Sequence, residues 1–175
     1  MLTSEQERRL ADEAGRGDRE ALECLYREYS DELYDIARRL TGSSADAYDV
    51  VHSMFGRLPA ALRGYARHRP LRPWLHAVTV RAALSQIRRE RRRGEVSMPD
   101  DRVDEASVGT PLLDFIMLER ALSSLPEGYR SVIVLKEFQG YSHREIGKLL
   151  GISRAASRAR LCRARIELRA MLADE

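Results

Sequence analysis

Apolar residues in this chain recur at three- and four-residue spacing almost from end to end, and no stretch sustains the two-residue alternation of a half-buried strand. That periodicity restricts the fold to helices that pack by one face. Ala21, Leu22, Leu25, Tyr26, Tyr29, Leu33, Ala37 and Leu40 form one apolar stripe, with Asp18 placed as its cap and Gly42 as its stop. A second stripe, Ala47, Val50, Val51, Met54, Phe55 and Leu58, follows Ser44 and is expected to stop near Pro59. A third helix is expected after Pro70-Leu71-Arg72-Pro73, because proline suits a first helical turn. It runs through Trp74, Leu75 and Val78 into the basic string Arg88-Arg89-Glu90-Arg91-Arg92-Arg93.

Residues 94–111, GEVSMPDDRVDEASVGTP, break the pattern: they lack an apolar period and concentrate Gly, Pro, Ser and acids. Beyond them the period returns over Leu112–Leu125, Gly128–Gln139 and a close-set pair between Ser142 and Leu172. The expected fold class is therefore all-α, with two small helical domains joined by a flexible acidic linker. An N-terminal helical bundle takes residues 1–93 and a helix-turn-helix domain takes residues 112–175. Each is small enough to have only a modest core.

The charge is segregated in the same way. Residues 1–56 hold 7 basic and 13 acidic groups, and residues 57–93 hold 11 basic and 1 acidic. Residues 94–127 hold 2 and 8, and residues 128–175 hold 10 and 5, so two negative blocks alternate with two positive ones. All but two of the basic groups, Lys136 and Lys148, are arginine, whose planar fork suits phosphate and guanine edges. Two anion-binding surfaces joined by an acidic connector account for the alternation, as do solvated helical faces.

Other classes are poorly matched. The apolar runs fall far short of the roughly 20 residues that cross a bilayer, and MLTSEQERRL has no apolar signal core. Cys24 and Cys162 are too few and too far apart for a disulfide scaffold, and a cytoplasmic location is expected. His52, His68, His76 and His143 have no second ligand at metal spacing, and no phosphate loop or catalytic triad signature is present. The chain reads as a non-enzyme with no cofactor and no metal.

The most specific local pattern is Ser142-His143-Arg144-Glu145, a capping box that opens a helix whose inner face is Ile146, Leu149 and Leu150. Gly151 permits a sharp turn, Ile152 plugs it and Ser153 caps a second helix: a helix-turn-helix, whose second helix enters the DNA major groove. At 100° per residue, Ser157, Leu161, Ala164, Leu168 and Met171 fall inward. Ser157 is a polar residue where an apolar one packs better. Ala155, Arg158, Ala159, Cys162 and Arg163 lie around the outward half, flanked by Arg154, Arg160 and Arg165.

Taken in order, these segments resemble the extracytoplasmic-function (ECF) sigma factors, initiation subunits of bacterial RNA polymerase. The resemblance runs through GDREALECLYREYSDELYDIARRLTG, DAYDVVHSMFGRL and RPWLHAVTVRAALSQIRRERRR, then LSSLPEGYRSVIVLKEFQGYSHREIGKLLGIS and RARLCRARIELRAML. It implies roles. Asp46, Asp49, Val50, Val51, His52 and Phe55 fall on the segment that docks on the clamp helices of the polymerase beta-prime subunit. Asp46, Asp49, Val50, Val51 and Phe55 agree with that motif, whereas Tyr48, His52 and Ser53 replace the usual Glu, Gln and Glu. The loop from Gly64 to Pro73, with Tyr65, Arg67, His68, Arg69 and Arg72, matches the one that captures a flipped-out base of the −10 element. Arg81, Arg88 and Arg89 on the following helix would hold the single strand, although Arg81 stands where the family usually has Asn. Arg154, Ala155, Arg158, Ala159, Cys162 and Arg163 match the positions near or reading the −35 element, and Ala155-Ala156-Ser157 replaces a common Gly-Thr-Val. The implied partners are core RNA polymerase (beta-prime clamp helices and beta flap), promoter DNA and an anti-sigma factor, with the free chain a monomer.

Two other readings use the same residues. A helix-turn-helix regulator acting without polymerase predicts footprinting by the free chain and leaves the N-terminal helices without a role. A sigma mimic that sequesters an anti-sigma factor draws on Arg81 and the altered start of the recognition helix.

Overall fold

A computed structural model gives the fold, describing residues 2–66, 69–94 and 110–173. Eight α-helices are present among the described residues, and no strand. They are α1 (Ser4–Gly15), α2 (Arg19–Thr41), α3 (Ser44–Leu62), α4 (Leu71–Arg93), α5 (Thr110–Ser124), α6 (Glu127–Ile133), α7 (His143–Leu150) and α8 (Arg154–Ala173). The chain divides into two compact units, Met1–Arg38 with Ala45–Arg89, and Arg39–Ser44 with Glu90–Glu175. The linker expected over 94–111 lies almost wholly outside the described residues.

In the first unit the apolar stripes converge on one core. Leu25 and Leu33 of α2, Leu58 of α3 and Leu75 and Val80 of α4 are essentially inaccessible to solvent. Each such side chain stabilises the fold by roughly 1.5–3 kcal/mol relative to exposure. The Asp18 carboxylate accepts from the Ala21 amide at 2.9 Å, and Gly42 has φ 78°, so α2 starts and stops where its sequence places these signals.

Two features depart from expectation. The helix α1 precedes the first apolar stripe; Thr3 and Gln6 form a reciprocal capping box at its start, and Leu10, Ala11 and Ala14 are buried. Tyr29 of α2 donates a hydrogen bond to Glu7 of α1 at 2.5 Å. Burial and that carboxylate together push the Tyr29 phenol pKa well up. In addition, α3 does not stop near Pro59 but continues to Leu62. Proline removes one backbone donor, and burial of Leu58 and Leu62 on either side holds the last turn to the core.

In the second unit, α6 passes into a π-helical turn over Val134–Phe138, with Val134 and Leu135 buried. Arg130 of α6 donates to the carbonyls of Ser123 and Leu125 at 2.9 and 3.2 Å. These are acceptors that the end of α5 leaves without helical partners. Ile146 and Ala164 are fully buried and draw α7 and α8 onto the same core.

Candidate nucleic-acid interface

The α7–turn–α8 segment is fixed by local chemistry at each corner. Ser142 accepts from the Glu145 amide at 3.3 Å, and Glu145 accepts from the Ser142 amide at 2.8 Å. The Ser142 hydroxyl also donates to Glu145 at 2.6 Å, and this bond, followed by that from the Ser142 amide, holds the Glu145 carboxyl below its usual range. Gly151 ends α7 in the left-handed region at φ 67°, ψ 35°, where a side chain is disfavoured. Ser153 then caps α8, accepting from the Ala156 amide at 3.0 Å.

A second glycine sets how closely the two helices approach, and no local sequence pattern marks it. Gly147 is buried in α7, and a Cβ there would lie 2.7 Å from the carbonyl oxygen of Ile152. The Ile152 amide donates to the Gly147 carbonyl at 3.0 Å, so the turn folds back directly over this residue.

This geometry presents one face of α8. Arg154, Ala155, Arg158, Ala159, Cys162 and Arg163 are all exposed, while Ser157, Leu161 and Ala164 are buried, as the wheel arithmetic expects. Leu168 and Met171, expected inward, are half-buried. Tyr129 of α6 lies beside exposed Arg163 and raises its pKa. Arg165 pairs with Glu137 at 2.7 Å. The polar Ser157 is fully buried, and its Oγ lies 2.9 Å from Nδ1 of His143.

On α4, Arg81, Arg88 and Arg89 of the first unit are exposed. Arg81 and Arg88 fall within about 20° of one another around the helix, a stripe roughly 10 Å long at 1.5 Å rise per residue. Permanently charged guanidiniums in that register suit a sugar-phosphate backbone.

The loop before α4 is more constrained than its sequence suggests. Tyr65 is buried, its ring packs on half-buried Trp74 with centroids 5.0 Å apart, and its hydroxyl donates to the Arg69 carbonyl. Its ring is therefore part of the packing and does not offer a stacking surface. Burial, and next the nearby Glu7 carboxylate, push its pKa up. Arg72 is held by Glu32 at 2.8 Å, and Glu32 also meets His76 at 2.9 Å. Arg69 is exposed and, with Tyr65, lines a 90 Å³ cleft beside Glu7 and Arg8 of α1. Arg67 and His68 lie outside the described residues.

Along α3 the six candidate docking positions separate by face. Val50, Val51 and Phe55 are buried, so they hold the helix in the bundle; Asp49 and His52 are exposed and Asp46 is half-buried. The helical period accounts for the split. Cys24, which lies near the α2 stripe in sequence, is also exposed.

A helical bundle with an arginine-lined face, and a helix-turn-helix unit with a second one, define a two-part DNA-directed factor of the sigma-70 type. The Sigma-70 region 2 family model matches residues 25–93 and the Sigma-70, region 4 model matches residues 115–168. The ECF RNA polymerase sigma factor SigL of Mycobacterium tuberculosis is 31% identical over 153 residues, covering 80% of this chain and 82% of that protein. The ECF RNA polymerase sigma factor SigE of Mycolicibacterium smegmatis is 32% identical over 157 residues, 85% of this chain but only 60% of the longer relative. The sigma factor RpoE of Bartonella quintana, solved with the anti-sigma factor NepR, superposes with a TM-score of 0.64 at 22% identity, covering 86% of this chain and 95% of that one. The chain belongs to the ECF RNA polymerase sigma factors, the subunits that direct RNA polymerase to promoters.

Proposed function

We propose that this chain docks on core RNA polymerase through the exposed part of α3, reads the −35 element with α8, and holds the opened −10 strand along α4. The observation that carries the reading is the exposed face of α8, where Arg154 and Arg158 stand clear of the core directly after the capped turn. Arg158 and Ala159 lie where side chains reach base edges, and Arg154 lies where the helix start meets phosphate. Major-groove binding positions the duplex, and the α4 stripe then stabilises bases that leave the stack, offsetting an unstacking cost of roughly a few kcal/mol.

The finer assignments belong to the same proposal. Residues 1–93 and 112–175 act as separate modules, with 94–111 connecting them. The chain acts in the cytoplasm as a non-catalytic, cofactor-free subunit, monomeric when free. Its regulator is an anti-sigma factor, an extension from the partner with which the RpoE neighbour was solved.

Equilibrium binding of the labelled chain to purified core RNA polymerase tests the docking reading, with Asp49→Arg as control. Saturable binding weakened by the substitution is expected. A folded chain that fails to bind would overturn it and leave a regulator acting on DNA alone.

A further inference from the structure

The docking face has a feature that its family motif does not account for. Tyr48 replaces the usual acid and is 61% exposed; its ring stacks on His52, with planes 4° apart and centroids at 6.3 Å. Across from this pair, Tyr26 of α2 is also partly exposed and meets buried Phe55 edge-on at 4.8 Å. Tyr26, Tyr34, Tyr48 and His52 line one cleft of 120 Å³, together with exposed Asp31 on α2 and buried Val51 at the base.

Aromatic faces carry negative π density, and a carboxylate at the rim adds a full charge. The surrounding chain reinforces the sign, since residues 1–56 hold 13 acidic groups against 7 basic. A phosphate backbone is repelled here, and an apolar side chain would gain nothing from the exposed Asp31 carboxylate. A planar cation satisfies both elements, stacking on a tyrosine face while its N–H fork meets the carboxylate.

We propose that this cleft receives one arginine side chain of the core polymerase, anchored by Asp31 and stacked on Tyr48, with Tyr26 and Tyr34 completing the walls. The inference rests on the docking reading and gives it a partner chemistry. Aromatic faces and the Asp31 carboxylate take over from the acidic contacts that the family motif places at Tyr48 and Ser53, so the face is selective for an arginine rather than for positive charge in general.

Binding of the full chain to purified core RNA polymerase, read by fluorescence anisotropy, tests this with a double-mutant cycle. Tyr48→Leu, Tyr48→Phe, Asp31→Asn and Asp49→Arg are combined with lysine substitutions at each arginine of the polymerase clamp helices. Circular dichroism verifies folding; Tyr48 and Asp31 are exposed, which favours intact folds. Tyr48→Leu and Asp31→Asn should each weaken binding about five- to tenfold. Tyr48→Phe, which keeps the π face, should stay within twofold of the original. One polymerase arginine should lose its effect in the Asp31→Asn background. If Asp49→Arg weakens binding while the Tyr48→Leu and Asp31→Asn effects stay within twofold or add independently with every arginine, the docking reading stands and the arginine cleft is overturned. If the unsubstituted chain does not bind, both fall.

Discussion

Nδ1 of His143, in the first turn of α7, lies 2.9 Å from Oγ of Ser157, which is wholly buried on α8. The pair ties the positioning helix to the recognition helix through a polar bond inside an otherwise apolar contact. A buried hydroxyl needs such a partner, and its loss typically costs about 1 kcal/mol. Ser157→Ala and His143→Ala should each lower unfolding free energy by about that amount, and the double variant by less than the sum. Urea titration of the full chain measures both; strict additivity would separate the two residues.

The same pair gives a pH dependence with a definite sign. Burial first, then Lys136, Arg158 and Arg154, push the His143 pKa below its ordinary 6.5. The unfolded chain therefore binds the proton more readily, and stability rises with pH in that window. The contribution is fully present above about 6.5 and is lost as pH falls through the lower folded value. Melting temperature followed from pH 8 to pH 5 should fall on acidification, and His143→Gln should flatten that fall. The depressed Glu145 carboxyl adds its own loss only at lower pH, in the carboxylate range.

Gly147→Ala should be the most damaging single methyl in the helix-turn-helix. Its Cβ would stand 2.7 Å from the Ile152 carbonyl oxygen, a backbone atom that cannot rotate away. Overpacking of this kind costs roughly 1–3 kcal/mol, and the shifted turn should also weaken duplex binding. Ala introduced at Gly56, which has open space around it, is the control and should be neutral or mildly stabilising.

Base and phosphate contacts on α8 should separate in a salt and sequence series. Arg158→Ala should cost about 1–3 kcal/mol at one guanine-containing position and much less on other sequences. Arg154→Ala should weaken all sequences alike and lower the salt slope by about 0.9. Competition binding of reconstituted polymerase to a randomised −35 library distinguishes them, and equal losses for both would make Arg158 a phosphate contact.

Arg81 heads the exposed stripe on α4, where the family usually carries Asn. Arg81→Asn should reduce the salt slope for single-stranded −10 DNA by about 0.7 and lower promoter opening, measured by permanganate reactivity of −10 thymines; a large gain in opening would instead favour the sigma-mimic reading. An unchanged slope would remove Arg81 from the strand-binding stripe.

What the sequence made legible was chiefly what local chemistry decides. Asp18 and Gly42 delimit α2, and Ser142, Glu145, Gly151 and Ser153 frame the helix-turn-helix, because caps and left-handed turns depend on neighbours in the chain. The inward and outward faces of α8 followed from the period alone. What stayed hidden depends on contacts between distant residues. Gly147 is glycine because a carbonyl five residues on returns over it, and Ser157 is tolerated because His143 reaches it. Tyr65 looks like a loop aromatic until Trp74 covers it, and α3 runs past Pro59 because Leu62 is buried. The three buried residues of α1 are too sparse to make a stripe, although Thr3 and Gln6 already spell its capping box.

Promoter-directed initiation is tested most directly by run-off transcription with purified core RNA polymerase, the full chain and fragmented genomic DNA of the source organism. Discrete transcripts that require the chain are predicted, lost with Asp49→Arg and redistributed or lost with Arg158→Ala. A folded chain that binds core polymerase yet yields no chain-dependent transcript would contradict the account.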